Sequence, residues 1–345
     1  MDEKSTDATS PDATGAASGD AEYPAAQTAD GLRTRIGEHA KDLARQRLPA
    51  CRALVSAQPA ITHLAHFRIG ALDFSVDRLA RSGPSVEDVE RAGRRLTFHL
   101  SKLGDELAAL NTGPLIRLLV QSSTGAMVCD TIIPDHCLVA TVEAAVEPEQ
   151  PLCRQPEILA LDLALSQVID KFRTEIALAS AQLGGTSGPS HVATGGLAPT
   201  LADDDLPDLL RRTLDETSEL HYVAVFRAAT LITEVNGFDR PSAAVATAVS
   251  DPESIDSQAR AARYQSLARR VPSMVHALGR VTRPVLGTMP ARVVLDVERG
   301  AIYLYSLPDD HHLFAVTLDQ RRVGVVEDAV AQLAVQASRQ LRVKA

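Results

Sequence analysis

The sequence has no tryptophan, few other aromatic residues, few cysteines and no long apolar run. Aromatic residues make up 3% of the chain and hydrophobic residues 45%, so its cores must consist mainly of leucine, valine, isoleucine and alanine. No apolar run approaches the roughly 20 residues that span a bilayer, and the N-terminus lacks the basic and apolar regions of a signal peptide. We therefore expect a cytoplasmic protein whose four cysteines are reduced thiols.

The chain also lacks an excess of basic residues. Its formal net charge is −9, whereas binding to nucleic acid requires a dense basic face against the phosphates. This charge argues against nucleic acid as the main partner. The length of 345 residues suits two domains with tails, given a prior of roughly 100–200 residues per domain. The arginine-rich, lysine-poor composition suggests a high-GC bacterial genome.

Two stretches contain almost no large apolar residues. Residues 1–30 are rich in Ala, Asp, Ser, Thr, Gly and Pro, and the stretch 184–205 has the same character. Such segments cannot bury enough surface to offset the entropy lost on ordering them. We therefore predict a disordered tail over 1–30, a first domain over 31–183, a flexible linker over 184–205 and a second domain over 206–345.

The second half of the chain predicts a sheet between helices. Its apolar runs are short and β-branched or alternating, with Gly, Pro and Asp at the turns, and helical spacing lies on either side. The predicted strands are Leu220–Phe226, Thr230–Val235, Arg292–Val297, Ala301–Leu307 and His312–Leu318. The predicted helices begin at Leu206, near Ser254 and at about Val323, and Pro272 is expected to kink or divide the middle one.

The first half predicts the same order of elements. The predicted helices are Leu32–Ser56, Ser85 to about Leu110 and Glu157–Leu183, and the predicted strands are Ile61–Phe67, Ala71–Val76, Leu115–Gln121, Ala126–Ile133 and Cys137–Glu143. Both halves therefore have the order α-β-β-α-β-β-β-α, which indicates an internal repeat.

The C-terminal half resembles the roadblock/LC7 family. Its last strands contain an acidic residue before a glycine, an apolar strand, a strand of the pattern hhLhAVhhD, a glycine step and a closing helix. The matching positions are Glu298, Gly300, Leu313, Ala315, Val316, Asp319 and Gly324. The match covers roughly 206–341, whereas only element order and apolar pattern match over 32–183. The resemblance implies an α+β fold of two roadblock/LC7-like (profilin-like) domains, each a five-stranded antiparallel sheet flanked by helices.

The resemblance also implies a function by assembly. Modules of this family pair through the central helix and an edge strand, so that two sheets join, and they act as platforms for Ras-like small GTPases, dynein or histidine-kinase systems. Two copies in one chain would form an intramolecular pseudo-dimer, and a linker of about 20 residues could span roughly 25 Å to allow it. We expect a non-catalytic scaffold or regulator, and further self-association is left open.

No catalytic, cofactor-binding or metal-binding motif stands out in the sequence. The glycine pairs near 184 and 195 lack the GK[ST] step of a phosphate loop. His311 and His312 are adjacent on a predicted strand, so their side chains point to opposite faces and cannot easily bind one ion. We predict no active site, no cofactor and no metal.

The cysteines offer a weaker chemical alternative. Cys129, Cys137 and Cys153 lack the close C-x2–4-C pairs of a zinc knuckle. Cys129 and Cys137 would lie on neighbouring strands of a hairpin as small core residues. Buried thiols are therefore expected, with a redox pair and a metal site as the alternatives.

Arginines on the two predicted central helices are the candidate partner-binding residues. A solvated helix face would explain them, but they could also contact an acidic partner, or include an arginine finger that acts on a GTPase. They are Arg91, Arg94 and Arg95 in the first half and Arg260, Arg263, Arg269 and Arg270 in the second.

Two other functions remain open from the sequence alone. A tandem pair of GAF- or PAS-like domains would sense a ligand, which requires an apolar pocket with a few polar groups. A chaperone or secretion adaptor would bind a client protein along its long helices.

Overall fold

The computed structural model describes residues 26–27, 31–78, 83–144, 156–175, 205–240 and 256–344. We call residues 31–175 the first half and residues 205–344 the second half. Apart from residues 26–27 and Asp205, the predicted tail and linker lie outside the described residues, as do the last eight residues of the predicted helix Glu157–Leu183.

The elements follow the predicted order, with a few additions. The strands are β1 (Ala26–Gln27), β2 (Arg33–Ile36), β3 (Ile61–Arg68), β4 (Ala71–Asp77), β5 (Leu115–Gln121), β6 (Gly125–Ile133), β7 (His136–Glu143), β8 (Tyr222–Arg227), β9 (Thr230–Asn236), β10 (Arg292–Val297), β11 (Gly300–Ser306) and β12 (His311–Thr317). The helices are α1 (Lys41–Ala57), α2 (Val86–Ala108), α3 (Pro156–Glu175), α4 (Leu206–Glu216), α5 (Ser257–Ala268), α6 (Val271–Leu286) and α7 (Val323–Lys344).

The twelve strands in the described part of the chain belong to one antiparallel sheet. Its order is β1-β2-β4-β3-β7-β6-β5-β10-β11-β12-β8-β9. The five strands β4-β3-β7-β6-β5 of the first half are repeated from the opposite end by β9-β8-β12-β11-β10 of the second. The two sets meet at β5 and β10, which pair antiparallel. The fold is therefore a mixture of helices and antiparallel sheet.

Helices cover both faces of this sheet, and each face has its own core. Helices α1, α3, α4 and α7 bury their apolar residues on one face, together with strand residues such as Leu119 and Val294. Helices α2, α5 and α6 pack on the other face around residues such as Leu118 and Leu295. Adjacent strand residues point to opposite faces, so both cores extend across the junction between the halves.

The predicted helix Leu32–Ser56 is wrong at its beginning. Residues Arg33–Ile36 form strand β2, which pairs with the edge of β4, and the helix begins only at Lys41. Thr and Ile suit a strand. The side chain of Arg35 also contacts Glu90 of α2 at 3.1 Å. Sheet pairing and this ion pair outweigh the helical spacing of the same residues.

The predicted break at Pro272 is confirmed. Helix α5 ends at Ala268 and α6 begins at Val271. Pro272 lies in the first turn of α6, where its missing N–H would have no partner within the helix. The predicted N-terminus of α2 is also confirmed, because the Ser85 side chain accepts a hydrogen bond from the Asp88 backbone N–H at 3.1 Å.

Two equivalent turn positions, one in each half, require glycine for the same structural reason. A β-carbon at Gly125 would collide with the backbone oxygen of Val142, and one at Gly300 would collide with that of Thr317. Each glycine begins the second strand of its three-stranded meander and lies against the third. Only glycine allows this close approach of two backbones.

Candidate functional site

The junction between the halves is a pair of central strands in antiparallel register. Leu119 of β5 lies opposite Val294 of β10, and the pairing extends over most of both strands. Two polar pairs flank this centre, Arg117 opposite Asp296 and Gln121 opposite Arg292. The two halves are thus joined by main-chain hydrogen bonds and by buried polar side chains.

Each half contributes one buried arginine to this junction. Arg117 donates from Nε to Asp296 Oδ2 at 2.5 Å and also contacts Asp162 of α3. Arg292 donates to Gln121 Oε1 at 2.6 Å and also contacts Glu327 of α7.

The two arginines are equivalent in sequence as well as in structure. Arg117 lies eight residues before Gly125, and Arg292 lies eight residues before Gly300. In each case the guanidinium bridges the opposite strand to the closing helix of its own half. A buried guanidinium that lost such partners would be strongly unfavourable, so these contacts hold strand register and helix position together.

An additional buried carboxyl lies beside Arg117. Asp130 of β6 is its cross-strand neighbour, and burial raises the pKa of Asp130 to about 7, although Arg117 and Arg173 oppose the shift. Arg173 of α3 donates to the backbone oxygens of Ile132 and Thr131 at 2.8 and 2.5 Å. The cleft between these groups holds about 20 Å³, room for roughly one water molecule.

Helices α2 and α6 form an antiparallel pair across the same junction, on the opposite face of the sheet. The guanidinium of Arg270 contacts Glu106 of α2 at 3.0 Å. Arg263 of α5 donates to the backbone oxygen of Ala109 at 2.6 Å. Both contacts link the second half to the first.

The outward side of this helix pair carries a concentration of basic side chains. We define the basic helix face as the exposed residues Arg91, Arg94, Arg95, Phe98 and Lys102 of α2 with Arg280 and Arg283 of α6. The spacing of the α2 members places them on one stripe. Phe98, at the middle of that stripe, is 67% exposed. Asp88 contacts Arg91 at 2.6 Å, and the acidic residues Glu87 and Asp105 of the same stripe lie toward its two ends.

The seven arginines predicted to bind a partner fall into three groups. Arg91, Arg94, Arg95 and Arg269 are exposed. Arg263 and Arg270 are exposed as well, but contact the first half as described above. Arg260 is only 5% exposed, and its guanidinium lies 6.0 Å from the centre of the Phe238 ring. Arg260 therefore packs inside the second half, where a docked protein could reach little of it.

Sequence reasoning missed a buried network of histidines and carboxylates in the first half. His66 of β3 contacts Asp73 Oδ2 through Nδ1 at 2.9 Å and Arg47 through Nε2 at 3.0 Å. His39 contacts the other oxygen of Asp73 at 2.9 Å. On the other face of the same hairpin, His63 contacts Asp77. The available signal was the spacing of His and Asp on two neighbouring strands.

Two of these side chains and His136 of β7 could hold a metal ion by distance alone. The ligand atoms of His66, Asp73 and His136 lie within 4.8 Å of one another. However, Arg47 must donate to Nε2 of His66, which leaves the ring proton on Nδ1, directed at Asp73. Both ring nitrogens are therefore occupied, and the Arg68 guanidinium lies 3.4 Å from Asp73. Burial lowers the pKa of His66. These contacts describe an ion-pair and hydrogen-bond network rather than a cation site.

The cysteine prediction is confirmed for Cys129 and Cys137. Both are buried free thiols on the neighbouring strands β6 and β7. Their mutual hydrogen bond and burial raise the pKa of Cys129, which disfavours a thiolate there, whereas the same hydrogen bond lowers the pKa of Cys137. Cys153 lies outside the described residues. His311 and His312 begin β12 as predicted, and His311 Nδ1 lies 2.8 Å from the backbone oxygen of Pro308.

No protein-family model matches this chain, and no curated protein matches it. Among solved structures, the chain is similar to the gliding protein MglB from Thermus thermophilus. The two are 17% identical over 38% of this chain and 89% of that chain, with a TM-score of 0.24. A likeness at that TM-score carries no argument about function. No helix in the described part of the chain has the length and apolar character needed to cross a membrane.

Proposed function

We propose that this chain is a non-catalytic scaffold made of two roadblock/LC7-like domains, at residues 31–183 and 206–345, that bind a signalling protein as an intramolecular pair. Three features support the pairing. The element order is repeated, β5 and β10 join the two sheets, and each half contributes one equivalent buried arginine to the junction. Since the halves belong to one chain, the paired surface is present at any protein concentration.

The exposed helix pair is the observation on which the partner-binding proposal depends. A chain of net charge −9 presents arginines at its basic helix face, around an exposed phenylalanine. Arginine and aromatic side chains are enriched at protein interfaces and among the residues that dominate binding energy. Such a face suits a protein partner with an acidic surface and an apolar depression that accepts Phe98.

We propose a small Ras-like GTPase as the partner, because platforms of the roadblock/LC7 type serve such proteins. Electrostatic complementarity would mainly raise the association rate and select the partner, while Phe98 would supply apolar contact area. Arg94 and Arg95 are exposed near the centre of the face, where they could contact acidic side chains of the bound protein.

Ligand sensing gains no support from the two clefts at the junction. The cleft beside Asp130 holds about 20 Å³ and a second one beside Glu327 about 10 Å³. Pockets for small molecules are typically about 300–1,000 Å³. Each cleft has room for roughly one water molecule.

A photo-crosslinker placed at Phe98 in the full chain tests the proposal in the native host. We expect a specific crosslinked protein, identified by mass spectrometry as a Ras-like GTPase. The same crosslinker at Val325, which is 47% exposed on α7, is the matched control on the opposite face. Combining Arg94→Glu with Arg95→Glu should abolish the Phe98 crosslink.

Two results would contradict the proposal. Equal crosslinking from Phe98 and Val325 would remove the basic helix face as a docking surface. A specific crosslinked protein that is not a GTPase would be consistent with a scaffold but would contradict a GTPase as the partner.

A further inference from the structure

The two outermost hairpins of the repeated strands are equivalent. Phe67 and Arg68 end β3 as Phe226 and Arg227 end β8. The turn residues that follow, Ile69 and Ala228, both have positive φ angles, of 50° and 48°. The two strand pairs are also irregular at the same place, between His66 and Phe67 and between Val225 and Phe226. Residues of β4 and β9 can therefore be matched one to one by counting from the turn.

The outer edges of these hairpins differ. In the first half β2 covers β4, pairing Arg33 with Asp77 and Ile36 with Phe74. In the second half β9 is the last strand of the sheet, and nothing in the described ranges pairs with its outer edge. Ile232, near the middle of β9, is 50% exposed. Among the described residues, the second half thus has an uncovered edge strand where the first half has a covered one.

Strand β9 also lacks the usual protection of an open edge. Its sequence is Thr-Leu-Ile-Thr-Glu-Val-Asn, with no proline or lysine and with several β-branched residues. Proline and lysine commonly block the edge strands of natural sheets, because an unblocked edge strand can pair with a strand of another chain. The one charged residue of β9 is Glu234.

We propose that the outer edge of β9 accepts an extended basic segment of a partner protein as an additional antiparallel strand. Such strand addition combines main-chain hydrogen bonds with selection by alternate side chains. Strand β2 shows the arrangement within this chain. Its Arg35 lies opposite Ser75 of β4, and the residue of β9 equivalent to Ser75 is Glu234.

The charge of Glu234 determines which kind of partner segment would pair with β9. An arginine or lysine at the position of Arg35 would lie directly opposite Glu234, and opposite charges at such cross-strand positions are favourable. Glu234 is held in place, since it accepts a hydrogen bond from Tyr222 Oη at 2.5 Å and lies 3.4 Å from Gln265 Nε2. This surface is distinct from the basic helix face, and its charged strand residue, Glu234, is acidic rather than basic.

The test uses the full chain and a synthetic peptide with the sequence of residues 31–38, Gly-Leu-Arg-Thr-Arg-Ile-Gly-Glu. Hydrogen–deuterium exchange with mass spectrometry reports protection along the chain. We expect the peptide to slow exchange in residues 230–236 and to leave residues 71–77, which β2 already covers, unchanged.

Charge variants separate strand addition from nonspecific binding. Glu234→Gln keeps an acceptor for Tyr222 but loses the charge, and should weaken binding about 1.5- to 5-fold. Glu234→Arg should abolish binding, and a peptide carrying Arg35→Glu should restore it. That rescue would show that the variant is folded. Glu216→Arg, an exposed acidic position on α4, should leave binding unchanged.

Four outcomes would overturn the proposal. One is the absence of protection at millimolar peptide. A second is protection, before peptide is added, of those amides of residues 230–236 that point away from β8, which would assign the edge to another part of this chain. A third is protection that rises with protein concentration, which would assign it to a second copy. The last is a change at residues 71–77, which would mean that the peptide replaces β2.

Discussion

The outer hairpins β3–β4 and β8–β9 share a backbone but differ in what their side chains do. Counting from the turn, His66 and Asp73 of the first hairpin correspond to Val225 and Ile232 of the second. The first pair is fully buried in an ionic network, whereas Ile232 is half exposed on the outermost described strand. The fold therefore accepts either ionic or apolar residues at these positions. The ionic version includes Arg47 of α1, which contacts His66, and His39, which contacts Asp73.

The central strands β5 and β10, in contrast, keep equivalent side-chain contacts in the two halves. Arg117 and Arg292 occupy equivalent positions and make equivalent contacts in the two halves, although the acceptors differ (Asp296 and Asp162 for one, Gln121 and Glu327 for the other). A guanidinium at this position connects the opposite strand of the junction to the closing helix of its own half. The edges of the sheet have diverged, whereas the junction has kept its chemistry.

The largest expected effect tests whether the two junction arginines are equivalent. Arg117→Ala removes the cation between the buried Asp162 and Asp296, and Arg292→Ala removes the cation beside the buried Glu327. Each should lower the free energy of unfolding by about 3–5 kcal/mol, measured by chemical denaturation. The control Arg283→Ala, on the exposed side of α6, should change it by less than about 0.5 kcal/mol. A loss at only one of the two positions would break the equivalence.

A pH effect should distinguish the first half from the second. Asp130 lies five residues after Gly125, and the position five after Gly300 is Tyr305. Burial raises the pKa of Asp130 from 3.8 to about 7, so the folded state binds the proton more tightly than the unfolded state. The associated stability is present below pH 4 and is lost as the pH rises to about 7.

Asp130→Asn measures that contribution. Between pH 5 and pH 8 the parent chain should lose on the order of 2–3 kcal/mol of unfolding free energy more than the variant, since each pKa unit corresponds to about 1.4 kcal/mol. Denaturation curves of both proteins at the two pH values provide the comparison. Parallel losses in parent and variant would mean that Asp130 is ionised at low pH in the folded chain.

The smallest expected changes in unfolding free energy come from substitutions at equivalent positions of the two hairpins. Asp73→Asn removes a buried charge but keeps an acceptor for His66, and should cost about 1–3 kcal/mol. Ile232→Asn alters an exposed position and should cost less than about 0.5 kcal/mol. Thermal or chemical unfolding of both variants measures the difference. Similar costs would show that the edge of β9 is as firmly packed as that of β4.

Local pattern was sufficient to predict most elements but few of the side-chain contacts. The last three strands were predicted within one residue at each end, because alternation and turn residues are local signals. Strand β2 was missed, since Arg33–Ile36 also continues the helical spacing of α1 and forms a strand only because β4 offers a partner. The His66–Asp73 contact was missed because it depends on how two strands are aligned.

The candidate partner-binding arginines show the same difference between predictable positions and unpredictable contacts. Their positions on helices followed from spacing, and Arg94 and Arg95 are exposed as a helix face predicts. Nothing in the spacing indicated that Arg260 would be buried against Phe238, or that Arg263 and Arg270 would contact the first half. Those outcomes depend on which helix packs beside which.

The sequence by itself determined the repeated element order, the turns at Gly125 and Gly300, and the division of the central helix at Pro272. Each of these depends on residues close together in the chain, whose backbone preferences act without a distant partner. Only the tertiary structure decided that β5 pairs with β10, that Arg117 meets an aspartate 179 residues away, and that β4 is covered while no described residue pairs with the outer edge of β9. Those features depend on contacts between distant segments, which form only when both surfaces are already folded.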